Sequence, residues 1–385
     1  MKRFCLLTLS LITLLLLAGC VENKYLEKLG LITAVGYDEN DEEKLIGTLV
    51  LYQFNPAMED VEKILTGEAN TSKGIRLTEN LDTDHKLASG QLRIAIYGRE
   101  LAESGISQLV DTLERDSAIG NMVYLAVSDT TAEELLKYPL AEKYSNRGTY
   151  LYNLVRQNVE SELMIAPTLQ EFITDYGSVG KDPILPMLTS SEGSLGVGGF
   201  ALFHRDRFVK EIDEEDMFYI RGLIENYHSS GSLEAGLKME AFKDHLSEKD
   251  QSGIEKADMG EKLYFVFDSI HSRHKIKAAK QKKPHFTIEL DMEVRLQEVT
   301  EKLKLSDPEV HALVEREAAQ YIEKKIESTI KMLQENNVDP IGFGMEYRTV
   351  RSHESLTQEE WDNLYKDAAF DVSVHMNLKR TGVTD

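Results

Sequence analysis

Apolar and polar positions alternate along this chain in segments of distinct kinds. The first is an unbroken apolar run. After the basic pair Lys2 and Arg3, Phe4 through Leu17 is apolar apart from Thr8, Ser10 and Thr13. The run is shorter than the ~20 apolar residues that a spanning helix needs. It ends in Leu17-Ala18-Gly19-Cys20, with small residues just before a cleavage point. It reads as a secretory leader over residues 1–19, not as part of a fold.

The next segments are short and rich in β-branched residues. Leu29–Tyr37 and Leu45–Phe54 predict two strands of a hairpin with a polar loop over 38–44, stopped by Asn55-Pro56. Residues 57–90 are too polar to assign. Leu92–Tyr97 and Met122–Val127 predict further strands, and between them Ile106, Leu109, Val110 and Leu113 recur at helical spacing. Thr131, with Glu134 three residues on, has the spacing of a capping box. Strand, helix, strand, helix in this order predicts a parallel crossover, right-handed by default. Two helices are expected over 145–176, divided at Pro167-Thr168, the first with Leu151, Leu154, Val155 and Val159 on its inner face.

Pro183–Pro186 and the glycine-rich Gly193–Gly199 mark an expected domain boundary. Phe200–Phe203 and Arg207–Ile212 predict a hairpin, and Asp213–Tyr227 an amphipathic helix. Residues 228–260 are polar and read as loop or linker. Tyr264–Ile270 and Phe286–Val299 predict long strands with the basic run Arg273–Lys283 between them. Asp307 caps the longest helix, and Pro308 suits its first turn, where a missing N–H costs nothing. Val310, Leu313, Val314, Tyr321, Ile322, Ile330 and Leu333 form its inner face, and Asn336-Asn337 ends it. A short helix around Trp361–Tyr365 and a strand Phe370–Leu378, apolar at every second residue, close the chain. The expected class is α+β, with three mixed α/β domains behind the leader. These are an N-terminal domain at 20–190 containing the βαβ unit, a small hairpin-plus-helix domain at 191–260, and a C-terminal domain at 261–385. The last is expected to pack an antiparallel sheet on the long helix.

Composition narrows the functional classes. At 42% hydrophobic and 29% charged, the chain is globular and able to bury cores. Its formal charge is −22, and loss of Lys2 and Arg3 with the leader makes it −24. Such acidity argues against nucleic-acid binding and against broad contact with anionic lipid. Of the two cysteines, Cys5 leaves with the leader and only Cys20 remains. The folded part then has no disulfide, no thiolate for zinc and no cysteine nucleophile.

Candidate chemistry is sparse. Gly196-Val-Gly198-Gly199-Phe-Ala201 is a relaxed dinucleotide fingerprint, but the fingerprint needs a helix after its glycines and a strand-like run follows here. A hinge or strand bulge accounts for it better. His271 and His274 lack a third ligand at local spacing, and Asp82, Asp84 and His85 read as a cap or turn before a strand. The elbow, phosphate-loop and EF-hand motifs are absent from the sequence. No catalytic residue, cofactor or metal is therefore expected. The basic run Arg273–Lys283 has two readings: a site for acidic partners or lipid headgroups, or a strand edge guarded by lysines.

Taken in order, several segments resemble the Ger(x)C family, the C-subunit lipoproteins of bacterial spore germinant receptors. They are LLAGC at 16–20, LGLITAVGYD, GQLRIAIYGRELAESGISQLVDTLERD, NMVYLAVSDTTAEELL, DPILPML, GGFALFHRDRFVKEID, VDPIGFG at 338–344 and FDVSVHMNLKRTG. The resemblance implies a lipobox whose Cys20 is acylated. It also implies a non-enzymatic subunit with three mixed α/β domains, at the outer face of the cell or spore inner membrane, beside two multi-pass membrane subunits. Whether it touches germinant is left open by the resemblance. The alternative is a solute-binding lipoprotein feeding a membrane transporter. Asp339, Pro340, Gly342, Phe343 and Gly344 read either as a specialised turn after the long helix or as a partner contact with Phe343 as its anchor. Trp361, the one tryptophan, reads as a core plug or an interface anchor.

Overall fold

The computed structural model describes residues 28–40, 42–53, 62–141, 146–228, 231–246, 262–279, 281, 283–301, 303–351 and 355–381. The leader and Cys20 lie outside these residues.

The chain enters at β1 (Leu29–Glu39), which pairs antiparallel with β2 (Leu45–Gln53), the expected hairpin. β3 (Glu62–Ala69) extends it, α1 (Ser72–Glu79) returns along it, and β4 (Lys86–Ala88) pairs parallel with the first residues of β1. These three elements occupy the stretch whose polarity hid them. β3 has no buried residue, so its alternation is weak.

The crossover region follows as β5 (Ile94–Tyr97), α2 (Arg99–Ser104), α3 (Ser107–Glu114) and β6 (Tyr124–Ser128). Then come α4 (Ala132–Lys137), α5 (Arg147–Glu160), α6 (Leu169–Gly177) and β7 (Ile184–Ser191). Thr131, Asn146 and Thr168 each accept a backbone N–H three residues on, so each of these helices starts where a short polar side chain satisfies its first turn. β1, β5, β6 and β7 run parallel, as the crossover pattern predicts.

β8 (Ser194–His204) and β9 (Arg207–Ile212) close a nine-stranded sheet of order β3-β2-β1-β5-β6-β7-β8-β9, with β4 beside β1. Gly198 is the extra residue of a bulge, since Met187 pairs with Gly199 but Leu188 with Val197. The sheet is covered on both faces. Ile75, Leu101, Val110 and Phe172 pack on one, and Leu135, Leu151, Val155 and Ile220 on the other.

The domain boundary expected at 190 falls inside this sheet. Ser191 pairs with Ser194, and apolar β7 and β8 continue one core across the turn. The described part of the segment expected as a middle domain, 191–228 and 231–246, contributes to both sheets. Its hairpin completes the first sheet. α7 (Glu214–Ile224) buries Met217 and Ile220 against the first core and Tyr219 and Leu223 against the second. β10 (Tyr227–His228) and β11 (Ser232–Lys238) pair with β12 (Lys262–Ala278). Part of the expected linker is thus strand, with Leu233, Ala235 and Leu237 facing inward. Residues 247–261 lie outside the described ones.

β12 pairs with β13 (His285–Val299), and α8 (Pro308–Glu335), α9 (Phe343–Val350) and α10 (Gln358–Tyr365) precede β14 (Ala369–Thr381). β14 runs parallel to β13, against the expectation of an antiparallel sheet, because three helices carry the chain back across the sheet before it re-enters. The architecture is α+β with two mixed sheets.

Candidate functional site at the junction of the sheets

The two sheets meet where the segment before β7 touches the segment after α8, and the contact is built from two identical tripeptides. Asp182-Pro183-Ile184 lies against Asp339-Pro340-Ile341. The Asp182 N–H donates to the Asp339 carbonyl at 2.9 Å, and the Asp339 N–H donates to Asp182 Oδ2 at 2.9 Å. Proline supplies no N–H and fixes φ, so each aspartate leads into a stiff exit from the junction.

Asp339 organises the turn that follows. Oδ1 accepts from the N–H groups of Gly342 (2.9 Å) and Phe343 (3.0 Å). Oδ2 accepts from the Gly344 N–H (2.8 Å) and the Trp361 indole Nε1–H (3.1 Å). The carboxylate thus stands at the N-terminus of α9 and ties α10 to it. Asp339 is 2% exposed, and burial pushes its pKa up to about 7, with the nearby Asp182 charge adding and the Gly344, Phe343 and Gly342 donors opposing. Gly342 takes φ +86°, in the left-handed region that favours glycine. Gly344 is required by space: a Cβ there would lie 2.4 Å from the Gly180 Cα and 2.7 Å from the Trp361 ring.

Around this centre, Asp182 Oδ1 accepts from the Arg205 N–H at 2.8 Å, and Gln358 Oε1 accepts from the Gly180 N–H at 3.1 Å. His204 stands between two carboxylates, 3.7 Å from Asp182 and 3.6 Å from Asp362. Asp182 holds its pKa above the usual imidazole value. Lys181 pairs with Asp175 at 2.9 Å, though burial still raises the Asp175 pKa. An open cleft of about 530 Å³ borders the junction, with Ile224, Ile276, Ile341 and Met345 along it and Lys181, Lys275 and Glu346 among its polar groups.

The residues singled out in the sequence do converge here, but inside the protein. Phe343 is fully buried and Trp361 is 1% exposed. Phe286 stacks on Phe370 and meets both Phe343 and Trp361, and Phe370 meets Phe343. Partner contact by either side chain is therefore replaced by a structural role: both fill the core where β13, β14, α9 and α10 meet. Asp182, Gly180, His204 and Gln358 went unrecognised in the sequence. The repeated Asp-Pro-Ile was the available signal.

The other candidates fall elsewhere. Asp84 pairs with His85 at 2.7 Å just before β4. Arg273, Lys275 and Lys277 are exposed on β12, and Arg273 and Lys275 lie opposite Asp291 and Glu289 on β13, so acidic neighbours offset part of the basic run. Lys280 and Lys282 lie outside the described residues. Among the described residues no group of three or more His, Cys, Asp or Glu is placed to hold a metal ion, and no helix is long and apolar enough to cross a membrane.

Two family models match the chain in succession. The spore germination protein N-terminal domain covers residues 22–190, and the spore germination B3/GerAC-like C-terminal domain covers 198–382. The chain belongs to the Ger(x)C family of spore germination proteins. Among the family's curated members, GerQC of Bacillus cereus is 27% identical over 387 residues, spanning 100% of both chains. Spore germination protein KC of Bacillus subtilis (strain 168) is 24% identical over 423 residues, covering 100% of this chain and 97% of the relative. The crystal structure of the GerBC protein shares the fold, with TM-score 0.50 and 15% identity over 90% of this chain and 96% of that one. The junction between the two family models, at 190–198, falls at the β7–β8 turn, close to the expected boundary, although the first sheet continues through it.

Proposed function

We propose that this Ger(x)C chain is the lipid-anchored, non-catalytic subunit of a spore nutrient germinant receptor and acts by assembling with two multi-pass membrane subunits. The observation that carries this reading is the leader ending in Leu17-Ala18-Gly19-Cys20, followed at once by family matches that run to residue 382. Acylation of Cys20 would leave the body outside the membrane and spore-associated, with its faces free for protein partners. Each buried CH₂ of such an anchor contributes ~0.8 kcal/mol, so two or more chains hold firmly.

The junction supports the non-catalytic reading in that both carboxylates at its centre, Asp182 and Asp339, have each oxygen engaged by N–H donors that hold the turn together. The rival reading, a solute-binding lipoprotein, calls for two similar lobes closing on a cleft. The two sheets here differ in strand number and order, so we favour the receptor subunit. Deletion of the gene, followed by germination against a panel of nutrients, tests it. Loss of response to a subset of nutrients, restored by the wild-type gene, is expected. Unchanged germination to every nutrient in a strain lacking paralogues would overturn it. Cys20→Ala should weaken both receptor assembly and response, since the tether raises local concentration beside membrane partners.

A further inference from the structure

Among the described residues few large apolar side chains are strongly exposed, and those that are do not scatter evenly. Leu81 is 86% exposed, Met122 71% and Leu77 70%, above every other large hydrophobic among the described residues. Leu77 and Leu81 are four residues apart, on α1 and just beyond its last turn, so they project from one side of it. α1 turns its other side inward through Ile75.

Their place in the fold is set by the strand that follows. Asn80 Oδ1 accepts from the Leu87 N–H at 3.0 Å, and Leu87 pairs with Gly30, the second residue of β1. Leu81 therefore sits at the end of the first sheet where β1 begins. β6 is parallel to β1 through β5, so Met122, two residues before β6, is at the same end. The chain reaches this end from Cys20. Nine residue steps separate Cys20 from Leu29, and at ~3.5 Å per step they span at most about 30 Å.

We propose that this end of the first sheet is a membrane-contact surface, with Leu77 and Leu81 entering the headgroup region of the bilayer that holds the acylated Cys20. The proposal rests on the lipid-anchor reading above. The tether decides the occupant: it confines the start of β1 to the neighbourhood of the bilayer, and the most exposed apolar side chains stand there. Asp82 and Asp84 follow Leu81 and are exposed, so the contact suits zwitterionic headgroups better than anionic ones. It also fits the acidic body, because one apolar tip meets lipid and the rest stands clear.

The test uses the full, acylated chain in phosphatidylcholine vesicles. Once Cys5 has left with the leader and Cys20 is acylated, Leu81→Cys supplies the sole thiol for a bimane label. Val209→Cys, on β9 at the opposite edge of the sheet and also exposed, serves as control. The expected result is quenching of the label at 81 by brominated phosphatidylcholine several-fold greater than at 209, with the reverse order for aqueous iodide. Equal iodide quenching at both positions in protein that floats with the vesicles overturns the contact and leaves the anchor standing. So does a label at 81 shielded from both quenchers, which marks a protein cover. Protein that does not float with the vesicles overturns the anchor and the contact together.

Discussion

Asp339→Asn is nearly isosteric, so it opens no cavity and isolates the role of charge at the junction. Four donors converge on the wild-type carboxylate, two on each oxygen. An asparagine offers one oxygen and one NH₂ group. Whichever way the amide turns, two of the four donors face another donor. A buried polar group left without its partner costs about 1–3 kcal/mol, so two such losses amount to about 2–6 kcal/mol. That is a large share of the ~5–15 kcal/mol that typically holds a protein folded. The comparison belongs near pH 4, where the raised wild-type pKa does not subtract from these losses, and the difference should shrink as pH rises through about 7. Urea unfolding followed by far-ultraviolet circular dichroism gives the difference for the whole chain, and Trp361 fluorescence follows the junction itself. A loss smaller than about 1 kcal/mol would refute the reasoning, because the donors would then be satisfied without the second oxygen. Asp182→Asn removes an acceptor from the same network, so the double variant should lose less than the sum of the two single losses.

Trp361 fluorescence should also report protonation of Asp339, with a midpoint near the carboxyl value of about 7 and no such step in Asp339→Asn. The sign is that of a raised pKa. The folded state holds this proton more tightly, so its stabilising contribution is complete below the ordinary 3.8 and is lost as pH rises through about 7. Gly344→Ala should destabilise by about 2 kcal/mol or more in thermal unfolding, because backbone and not a mobile side-chain tip obstructs the new methyl. Phe343→Ala should cost about 3–5 kcal/mol in urea unfolding, as for other large aromatic side chains removed from a core. Reversing Arg273 and Lys275 to glutamate should leave flotation with phosphatidylcholine vesicles unchanged, since acidic side chains already stand opposite both; a clear loss would reassign that strand face to lipid.

The sequence by itself determined the local elements. A continuous apolar run over Leu29–Tyr37, alternation over Phe370–Leu378 and helical spacing over Val310–Leu333 marked strands and helix, because a strand buried on both faces is apolar throughout while one buried face imposes a period of two or 3.6. Caps at Thr131 and Asp307 could be read because a short polar side chain meets the first turn through adjacent residues. The proposed leader and lipobox at Cys20 rest on the sequence alone, because such signals are linear segments. Strand partners and junction contacts depend instead on residues far apart in the chain. Nothing within β14 states that it will lie parallel to β13, and β3 is too evenly half-buried to show its period. Asp182 and Asp339 are 157 residues apart, and each looks like an ordinary Asp-Pro turn until the two sheets meet. Only the tertiary structure turned Phe343 and Trp361 from candidate anchors into core, since exposure is a property of what packs around a side chain.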